Sequence, residues 1–530
     1  MFRIIKFIPF LPLLCFSILG QDNDWFVKIS ENPILVDDQG TPRVLFVEQI
    51  DGGFFVLREH IYRNTRKRKF FIEHLDFMLR NKKLIDVTED LDEKNFEIQD
   101  VLRLKDRLLL LSTAYHRDSK ERIFYLQEIQ YDSFKIRERV EVYRLEADFN
   151  SFFKVNLTVT NSQSKIMFSI IPEKRVPLIK KPENDVREIV ILNSDLTIFE
   201  SIGRLEMTSG KMDFTIEQAV LNDQGVIYFL AQKIPDKKSE EPIYYLLRYR
   251  RKMLETGALI FAEGQIQRAR IDLNPNGTIL FMGYYLENKR FNPGVGVIST
   301  VFSQETLEPN LIYAELIKND VLMTGLRERQ KRKWLREIEA GRDLKVSHDI
   351  VPLYFLRHPS GDVSMIGEVQ YVNIESTSFT QAGTMHRFTY NYEHIFVTRI
   401  KSDGKILWTS KIPKLYRGSF DLVQSFHAFQ ENENIHLVFN DNSDNLILNP
   451  RKGVRYLSGR SRFNFLVKYT INAEGETENR ALLEYNTPPF DRIEMLNVFT
   501  DAARSSQNQL LFSTSGKLGF YYLLIGGNTD

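Results

Sequence analysis

The chain has 530 residues and a formal net charge of +1, because 71 lysines and arginines oppose 70 aspartates and glutamates. This balance excludes the overall basic field that is typical of nucleic-acid-binding proteins. Hydrophobic residues make up 43% of the sequence and include 39 Phe and 22 Tyr. Such a composition favours a packed fold that is rich in β-strands.

The N-terminus has the pattern of a secretory signal peptide. Arg3 and Lys6 precede an apolar stretch at residues 7–19, and the small Gly20 stands before the polar Gln21. The pattern predicts a signal peptide at residues 1–20. The stretch is too short to span a bilayer, and no later segment is long enough. We expect export without a transmembrane segment in the mature chain, with a periplasmic, outer-membrane-associated or extracellular destination.

Cys15, the only cysteine of the chain, lies inside this expected signal. A lipoprotein signal also places a single cysteine at the end of its apolar region, but it needs a small residue just before it, where Leu14 stands here. We therefore favour cleavage after Gly20 without lipidation. The remaining chain has no cysteine, which suits a protein of the bacterial envelope.

One pattern returns about eight times after residue 20: an apolar run after a turn, a polar loop, and a second apolar run. The first runs begin at Gly53, Arg107, Lys165, Val226, Thr278, Val363, Ile435 and Gln509. This recurrence predicts an all-β fold, a single β-propeller domain over residues 21–530 with about eight four-stranded blades. A seven-bladed ring and a two-domain all-β arrangement are the alternatives.

The seventh unit shows the four strands most clearly, at residues 420–429, 434–439, 463–471 and 478–484. The third strand of the sixth unit is expected at residues 394–400 and that of the eighth at 520–525. Only five residues follow the latter, so the eighth unit lacks an outer strand. We expect residues 25–30 to supply it and to close the ring.

A helical insertion is predicted at about residues 318–345, between the fifth and sixth blades. Residues 326–339 contain no proline, and Gly341 follows as a helix stop. Arg329, Arg332, Trp334 and Arg336 are candidate partner contacts, since arginines and buried aromatics often carry binding energy at interfaces. The alternative is a solvated charged face whose Trp334 packs on the propeller.

Motifs for catalysis are few in the sequence, and a metal site shared between blades at the central channel is left open. The nine histidines do not form the short paired spacing of a zinc site. Residues 440–445 are rich in Asn and Asp but lack the glycine and terminal glutamate of an EF-hand, so we expect a turn there. We assign no catalytic, cofactor-binding or metal-binding residue.

A local resemblance covers residues 362–484. Residues 391–408, followed by Lys411-Ile412-Pro413-Lys414 and residues 437–442, are similar to uncharacterised secreted propeller-like proteins of Bacteroidota-type bacteria. Residues 403–408 also resemble a blade of the quinone-dependent alcohol dehydrogenases and of the outer-membrane assembly propeller lipoproteins. Those dehydrogenases repeat such a tryptophan in many blades, and here only Trp408 has this context. The first resemblance implies an exported propeller of unassigned role and supplies no catalytic residues.

The sequence as a whole predicts a non-enzymatic binding or scaffolding propeller of the cell envelope. Its expected partner is an envelope protein or a glycan, and it binds no nucleic acid. The alternative is an envelope hydrolase or lyase whose acidic or histidine residues meet at the mouth of the propeller channel.

Overall fold

The computed structural model has an all-β architecture of eight blades in a propeller arrangement. It describes residues 25–30, 34, 40–62, 68–87, 97–146, 152–173, 185–209, 212–234, 243–287, 294–341, 350–379, 383–418, 425–457, 464–484, 502–504, 509–516 and 519–527. The expected signal peptide and Cys15 lie outside these residues. Among the described residues, no helix has the length and apolar composition needed to cross a bilayer.

Strands follow one another in chain order within almost every blade. The first described strand, β1 (Trp25–Ile29), belongs to the eighth blade. The strands of the first four blades are β2 (Gly40–Ile50), β3 (Gly53–Tyr62), β4 (Arg68–Leu75) and β5 (Asn81–Asp86); β6 (Glu97–Arg103), β7 (Arg107–His116), β8 (Glu121–Gln130) and β9 (Ile136–Glu146); β10 (Phe152–Val159), β11 (Lys165–Glu173), β12 (Val186–Asn193) and β13 (Ile198–Glu206); and β14 (Thr208–Ser209), β15 (Met212–Leu221), β16 (Ile227–Lys233), β17 (Tyr244–Arg250) and β18 (Met253–Leu259).

The remaining four blades repeat this antiparallel order. Their strands are β19 (Gly264–Leu273), β20 (Ile279–Glu287), β21 (Val295–Phe302) and β22 (Tyr313–Leu316); β23 (Ile350–Arg357), β24 (Val363–Phe379), β25 (Gly383–Ile400) and β26 (Ile406–Gly418); β27 (His427–Glu431), β28 (Asn434–Asn442), β29 (Asn464–Ile471) and β30 (Thr477–Glu484); and β31 (Ala502–Arg504), β32 (Leu510–Gly516) and β33 (Gly519–Gly527). The short β14 adds a fifth strand to the fourth blade.

The predicted closure of the ring is confirmed. β1 pairs with β33 in antiparallel register, from Trp25 opposite Gly527 to Ile29 opposite Leu523. The eighth blade therefore combines the two ends of the described chain. The count of eight blades is confirmed and the seven-bladed alternative is wrong.

Apolar side chains of the described residues form eight clusters, one in each gap between neighbouring blades. The middle strands of a blade are covered on both sides, so their residues are buried in continuous runs instead of alternating. β21 is buried along its whole length. This explains why short unbroken apolar runs were the repeating signal in the sequence.

The sixth blade departs from the expected pattern. The polar segment between residues 366 and 394 was expected to be a loop, but β24 and β25 extend through it as a hairpin whose register is continuous from Val369 to Phe379. Thr and Ser residues in this segment suit a strand as well as they suit a loop. Of the inner strand expected at residues 420–429 in the seventh blade, residues 420–424 lie outside the described residues, and β27 begins at His427.

The helical insertion lies between β22 and β23, as the sequence predicts. It contains α1 (Asn319–Met323) and α2 (Glu328–Glu339). Gly341 follows the last turn of α2, and its φ of 71° lies in the left-handed region that glycine adopts without strain.

Candidate functional site

Three segments that extend beyond the regular four-stranded blades lie on one face of the ring. Because the strands of a blade are antiparallel, the turn between its second and third strands and the connection to the next blade occur on the same side. The insertion leaves β22 for β23, the long hairpin joins β24 to β25, and residues 443–457 follow β28. We call the surface formed by residues 318–341, 370–379, 383–392 and 443–457 the contact face.

The start of α2 is fixed to the propeller by backbone contacts. The Val454 amide donates to the Gly325 carbonyl at 3.0 Å, and the Glu328 amide donates to the Pro450 carbonyl at 2.7 Å. Gly325 has a φ of 81°, and a Cβ atom there would lie 2.5 Å from the Pro413 side chain. Only glycine fits this joint, which holds the helix against the sixth and seventh blades.

α2 has two different sides. Trp334 and Ile338, four residues apart, pack against the apolar core between the fifth and sixth blades. Arg329, Arg332 and Arg336 follow one another at helical spacing and are exposed. In the described part of the chain, these three guanidinium groups have no ion pair or hydrogen bond. The structure thus groups the three candidate arginines and places Trp334 on the opposite, packed side.

A second cationic segment, which the sequence analysis missed, adjoins α2. Arg451 and Lys452 are exposed in the turn that holds α2, and a Cβ atom on the neighbouring Gly453 would lie 2.6 Å from the Arg327 side chain. We call the exposed cations of α2 together with Arg451 and Lys452 the cationic surface. The available signal was a turn, Asn449-Pro450-Arg451-Lys452-Gly453, that carries two adjacent cations.

The long hairpin of the sixth blade projects beyond the other strands. β23 pairs with β24 only as far as Val369, and β26 pairs with β25 only as far as Tyr390. β24 and β25 continue to pair with each other up to Phe379 opposite Gly383. We call residues 370–379 and 383–392 the ribbon.

The ribbon is amphipathic over residues 372–375 and 387–390. Directly opposed residues of an antiparallel pair lie on the same face, and so do residues two apart along a strand. One face therefore carries Val372 opposite Tyr390 and Ile374 opposite Phe388. Val372, Ile374 and Phe388 are 46%, 59% and 47% exposed. Between residues 373 and 375 the other face is polar and carries two opposed pairs, Asn373 with Thr389 and Glu375 with Arg387.

A buried ion pair lies beneath the base of the ribbon. Lys414 Nζ is 2.8 Å from Glu368 Oε1, and both side chains are at most 1% exposed. Ser425 also contacts both groups by hydrogen bonds. A serine beside a lysine occurs in some hydrolases, but here the lysine is held by a carboxylate and the serine is fully buried. The three residues therefore link the sixth blade to the seventh.

Two further buried bases lie on the neighbouring strands. Lys411 Nζ donates to the Leu322 carbonyl of α1 at 2.8 Å, and burial lowers the pKa of Lys411 to about 7. Burial also lowers the pKa of His394 well below its usual value, and the nearby charges of Lys411 and Lys414 add to this effect. These groups were missed as a cluster, although Lys411-Ile412-Pro413-Lys414 places two cations in an otherwise buried strand.

The Asn- and Asp-rich segment at residues 440–445 ends β28 and makes the expected turn only at residues 443–445. Asp441 accepts hydrogen bonds from the Asn445 side chain at 2.6 Å and from the Asn442 amide at 2.8 Å. Burial raises the pKa of Asp441 to about 7. Among the described residues, no group of three or more His, Cys, Asp or Glu side chains could hold a metal ion.

A cleft of about 670 Å³ lies on the opposite face of the ring, over the turns of the first three blades. Four carboxylate residues line it: Glu48, Asp51, Asp106 and Asp132. Glu48 forms an ion pair with Arg103 at 2.5 Å. The backbone amide of Lys105 donates a hydrogen bond to Gln163 Oε1 at 2.7 Å. The contacts of Glu48 and Lys105 connect neighbouring blades.

No family model matches the chain, and no curated protein matches it. Several solved structures are similar to the chain at low sequence identity. The β-propeller domain of the Trilobed protease from Pyrococcus furiosus is 8% identical, with 86% of this chain and 99% of that chain covered and a TM-score of 0.36. Pyrococcus horikoshii acylaminoacyl peptidase is 9% identical, with 89% and 58% covered and a TM-score of 0.34.

A third similar structure is the Penicillium chrysogenum alpha-L-arabinanase, at 9% identity, with 74% of this chain and 98% of that chain covered and a TM-score of 0.28. The chain spans only 58% of the length of the acylaminoacyl peptidase. The arrangement of the strands defines the class, a β-propeller, and a propeller fold by itself does not define a function.

Proposed function

We propose that this protein is an exported, non-enzymatic binding or scaffolding propeller of the bacterial cell envelope, and that it holds an acidic envelope protein or an anionic glycan at the contact face. The observation that carries the proposal is the exposed row of Arg329, Arg332 and Arg336, on a helix whose other side is packed against the ring. The resemblance of residues 362–484 to secreted propellers supports the expected compartment.

Charge supports an anionic partner. The chain carries a net charge of only +1, so an excess of cations in one place produces a local field and not a general one. Arginines without carboxylate partners are available for bidentate contacts with carboxylate, sulfate or phosphate groups. Their helix is held at Gly325 and Trp334, which reduces the entropy lost when the partner binds.

The enzymatic alternative has less support from the described residues. That alternative expects acidic or histidine residues to meet at the mouth of the propeller channel. The buried cluster of Glu368, Lys414 and Ser425 has no solvent access, and the cleft on the opposite face has Glu48 engaged in an ion pair between blades. The buried cluster therefore offers no accessible acid or base to a substrate, and Glu48 of the cleft is held in place by Arg103.

Site-specific photo-crosslinking tests the proposal. A photoreactive amino acid replaces Arg332 in one variant and Lys252 in a control, where Lys252 is exposed on the turn between β17 and β18 on the opposite ring face. We expect an envelope component to crosslink at position 332 and not at 252. That component is then purified, and its affinity is measured by calorimetry.

Charge reversal provides the quantitative step. The triple variant Arg329→Glu, Arg332→Glu and Arg336→Glu should weaken binding of the purified partner by at least about 100-fold. The matched control reverses Arg250, Arg251 and Lys252 and should bind as the wild type does. Equal affinity of the two triple variants for the partner would contradict the proposal. Enzymatic turnover of a glycan or peptide that the Arg329→Glu, Arg332→Glu and Arg336→Glu variant retains would also contradict it.

A further inference from the structure

The ribbon and the cationic surface together form a surface that suits an anionic lipid bilayer. We propose that the ribbon is a lipid-contact element, whose apolar face rests in the interfacial region of the bilayer while the cationic surface binds the lipid phosphates. The inference goes beyond the proposed function, which it does not require, although both use the contact face. It places the propeller on a membrane with its contact face toward the lipid.

The apolar face of the ribbon carries the argument. A two-stranded hairpin without a packing partner is marginally stable in water, and this one exposes about half of Val372, Ile374 and Phe388. Tyr390 completes the face opposite Val372. These positions carry no charge, whereas the other face carries Glu375 opposite Arg387. An element of this kind can bury one side in an apolar medium and keep the other in water.

The size of the apolar face favours lipid over a protein partner. A stable protein interface buries roughly 800 Å² on each side, far more than three half-exposed side chains can supply. Peripheral membrane binding needs less apolar area, because each cation near an anionic surface adds about 1 kcal/mol. A phenylalanine and a tyrosine on the face also suit the interfacial region, where aromatic rings are enriched.

The position of the cationic surface also suits an anionic bilayer. The insertion connects β22 to β23, and the ribbon rises from the second and third strands of the sixth blade. Both therefore leave the ring on the same side, on adjacent blades. Trp334 of α2 and Tyr371 of the ribbon pack against the same apolar core. A flat anionic surface with an apolar interior can meet both elements at once.

Vesicle co-sedimentation tests the inference with defined lipids. The probes are vesicles of equimolar phosphatidylglycerol and phosphatidylcholine, and vesicles of phosphatidylcholine alone. We expect the mature protein to bind the anionic vesicles and to lose binding as salt rises. The double variant Ile374→Ser and Phe388→Ser should reduce partitioning about tenfold, whereas the polar-face control Asn373→Ser and Thr389→Ser should partition as the wild type does.

A fluorescence reporter keeps the test decisive if the double variant does not fold. Phe388→Trp places an indole on the apolar face, and Thr389→Trp places one on the polar face. With anionic vesicles, we expect a blue shift and quenching by brominated lipid for the indole at position 388 only. Equal spectra for the two variants would overturn the inference.

Other outcomes separate this inference from the proposed function. Lipid-free dimerisation that the Ile374→Ser and Phe388→Ser variant abolishes would assign the ribbon to self-association and overturn the lipid assignment. Equal binding to both kinds of vesicle would also overturn it. Loss of the crosslink at position 332 with retained, ribbon-dependent vesicle binding would contradict only the proposed protein or glycan partner. The reverse result would contradict only the lipid inference.

Discussion

Lys414 and Glu368 form an ion pair of 2.8 Å in which neither side chain is more than 1% exposed. Glu368 lies on β24 and Lys414 on β26, so the pair crosses the sixth blade at the base of the ribbon. Ser425, just before β27, joins the pair to the seventh blade. The buried pair therefore holds together the part of the ring that carries the contact face.

Removal of one partner should destabilise the protein strongly. Lys414→Met leaves the Glu368 carboxylate buried without its cation, and we expect a loss of about 3–5 kcal/mol in the free energy of unfolding. The double variant Glu368→Leu and Lys414→Met should recover most of this loss, because the buried charge is then absent. Urea titration measures both values. A single variant as stable as the wild type would show that the pair is not buried in solution.

Lys411 should make stability depend on pH in the alkaline range. Burial lowers its pKa from 10.5 to about 7 in the folded protein. Between these values the unfolded chain holds the proton and the folded protein does not. The free energy of unfolding therefore rises with pH across this window, by up to about 1.4 kcal/mol per unit.

Lys411→Met removes the ionisable group and so tests whether it causes this pH dependence of the free energy of unfolding. The variant should gain stability relative to the wild type near pH 7, and the gain should shrink as the pH approaches 10. Urea titrations of both proteins at several pH values measure the difference. A difference that does not change with pH would contradict the assignment.

Asp441 should act in the opposite direction at acidic pH. Burial raises its pKa from 3.8 to about 7, so the folded protein holds a proton that the unfolded chain has lost between these values. Its contribution to stability is present at low pH and declines as the pH rises toward 7. Asp441→Asn should abolish this decline. Thermal unfolding from pH 4 to pH 7 compares the two proteins, and parallel curves would refute the prediction.

The glycine joint of the insertion can be tested by proteolysis. Gly325→Ala places a methyl group against Pro413 and Val454 and forces an unfavourable φ on alanine. We expect α2 to detach, and trypsin to cut in its arginine-rich sequence at least about tenfold faster. Gly361→Ala is the control, because it also has a positive φ but meets no neighbouring atom. Equal cleavage of both variants would exclude a fixed insertion.

The closing strand should be separable from the rest of the ring. Truncation through Ser30 removes β1 and uncovers the edge of β33, and we expect a loss of about 3 kcal/mol or more from lost apolar burial. A synthetic peptide of residues 22–32 should restore the melting temperature in a concentration-dependent way. A scrambled peptide is the control. Restoration by both peptides, or by neither, would contradict specific closure.

Much of the fold could be predicted because its signals are local. The buried runs such as residues 107–111 mark second strands directly, and the missing outer strand of the last blade predicted the role of Trp25 and its neighbours. The ribbon escaped prediction because residues 375–381 read equally well as a strand or a polar loop. Alternation over a hairpin becomes visible only once the register of its two strands is known.

Only part of the candidate site could be predicted from the sequence. Arg329, Arg332 and Arg336 share a helix face by spacing alone, so their grouping follows from the sequence. The contribution of Arg451 and Lys452 does not, because more than a hundred residues separate them from α2. Their approach depends on the joint at Gly325.

The sequence by itself predicted the all-β propeller, a count of about eight blades, its closure and the place of the insertion, because each of these follows from the order and periodicity of short segments. The tertiary structure alone decided which side of α2 is free, that the sixth blade projects an amphipathic ribbon, and that Lys414 meets Glu368 and Ser425. These relationships join residues on different strands and blades. They depend on register and on packing between blades, which no local pattern of residues specifies.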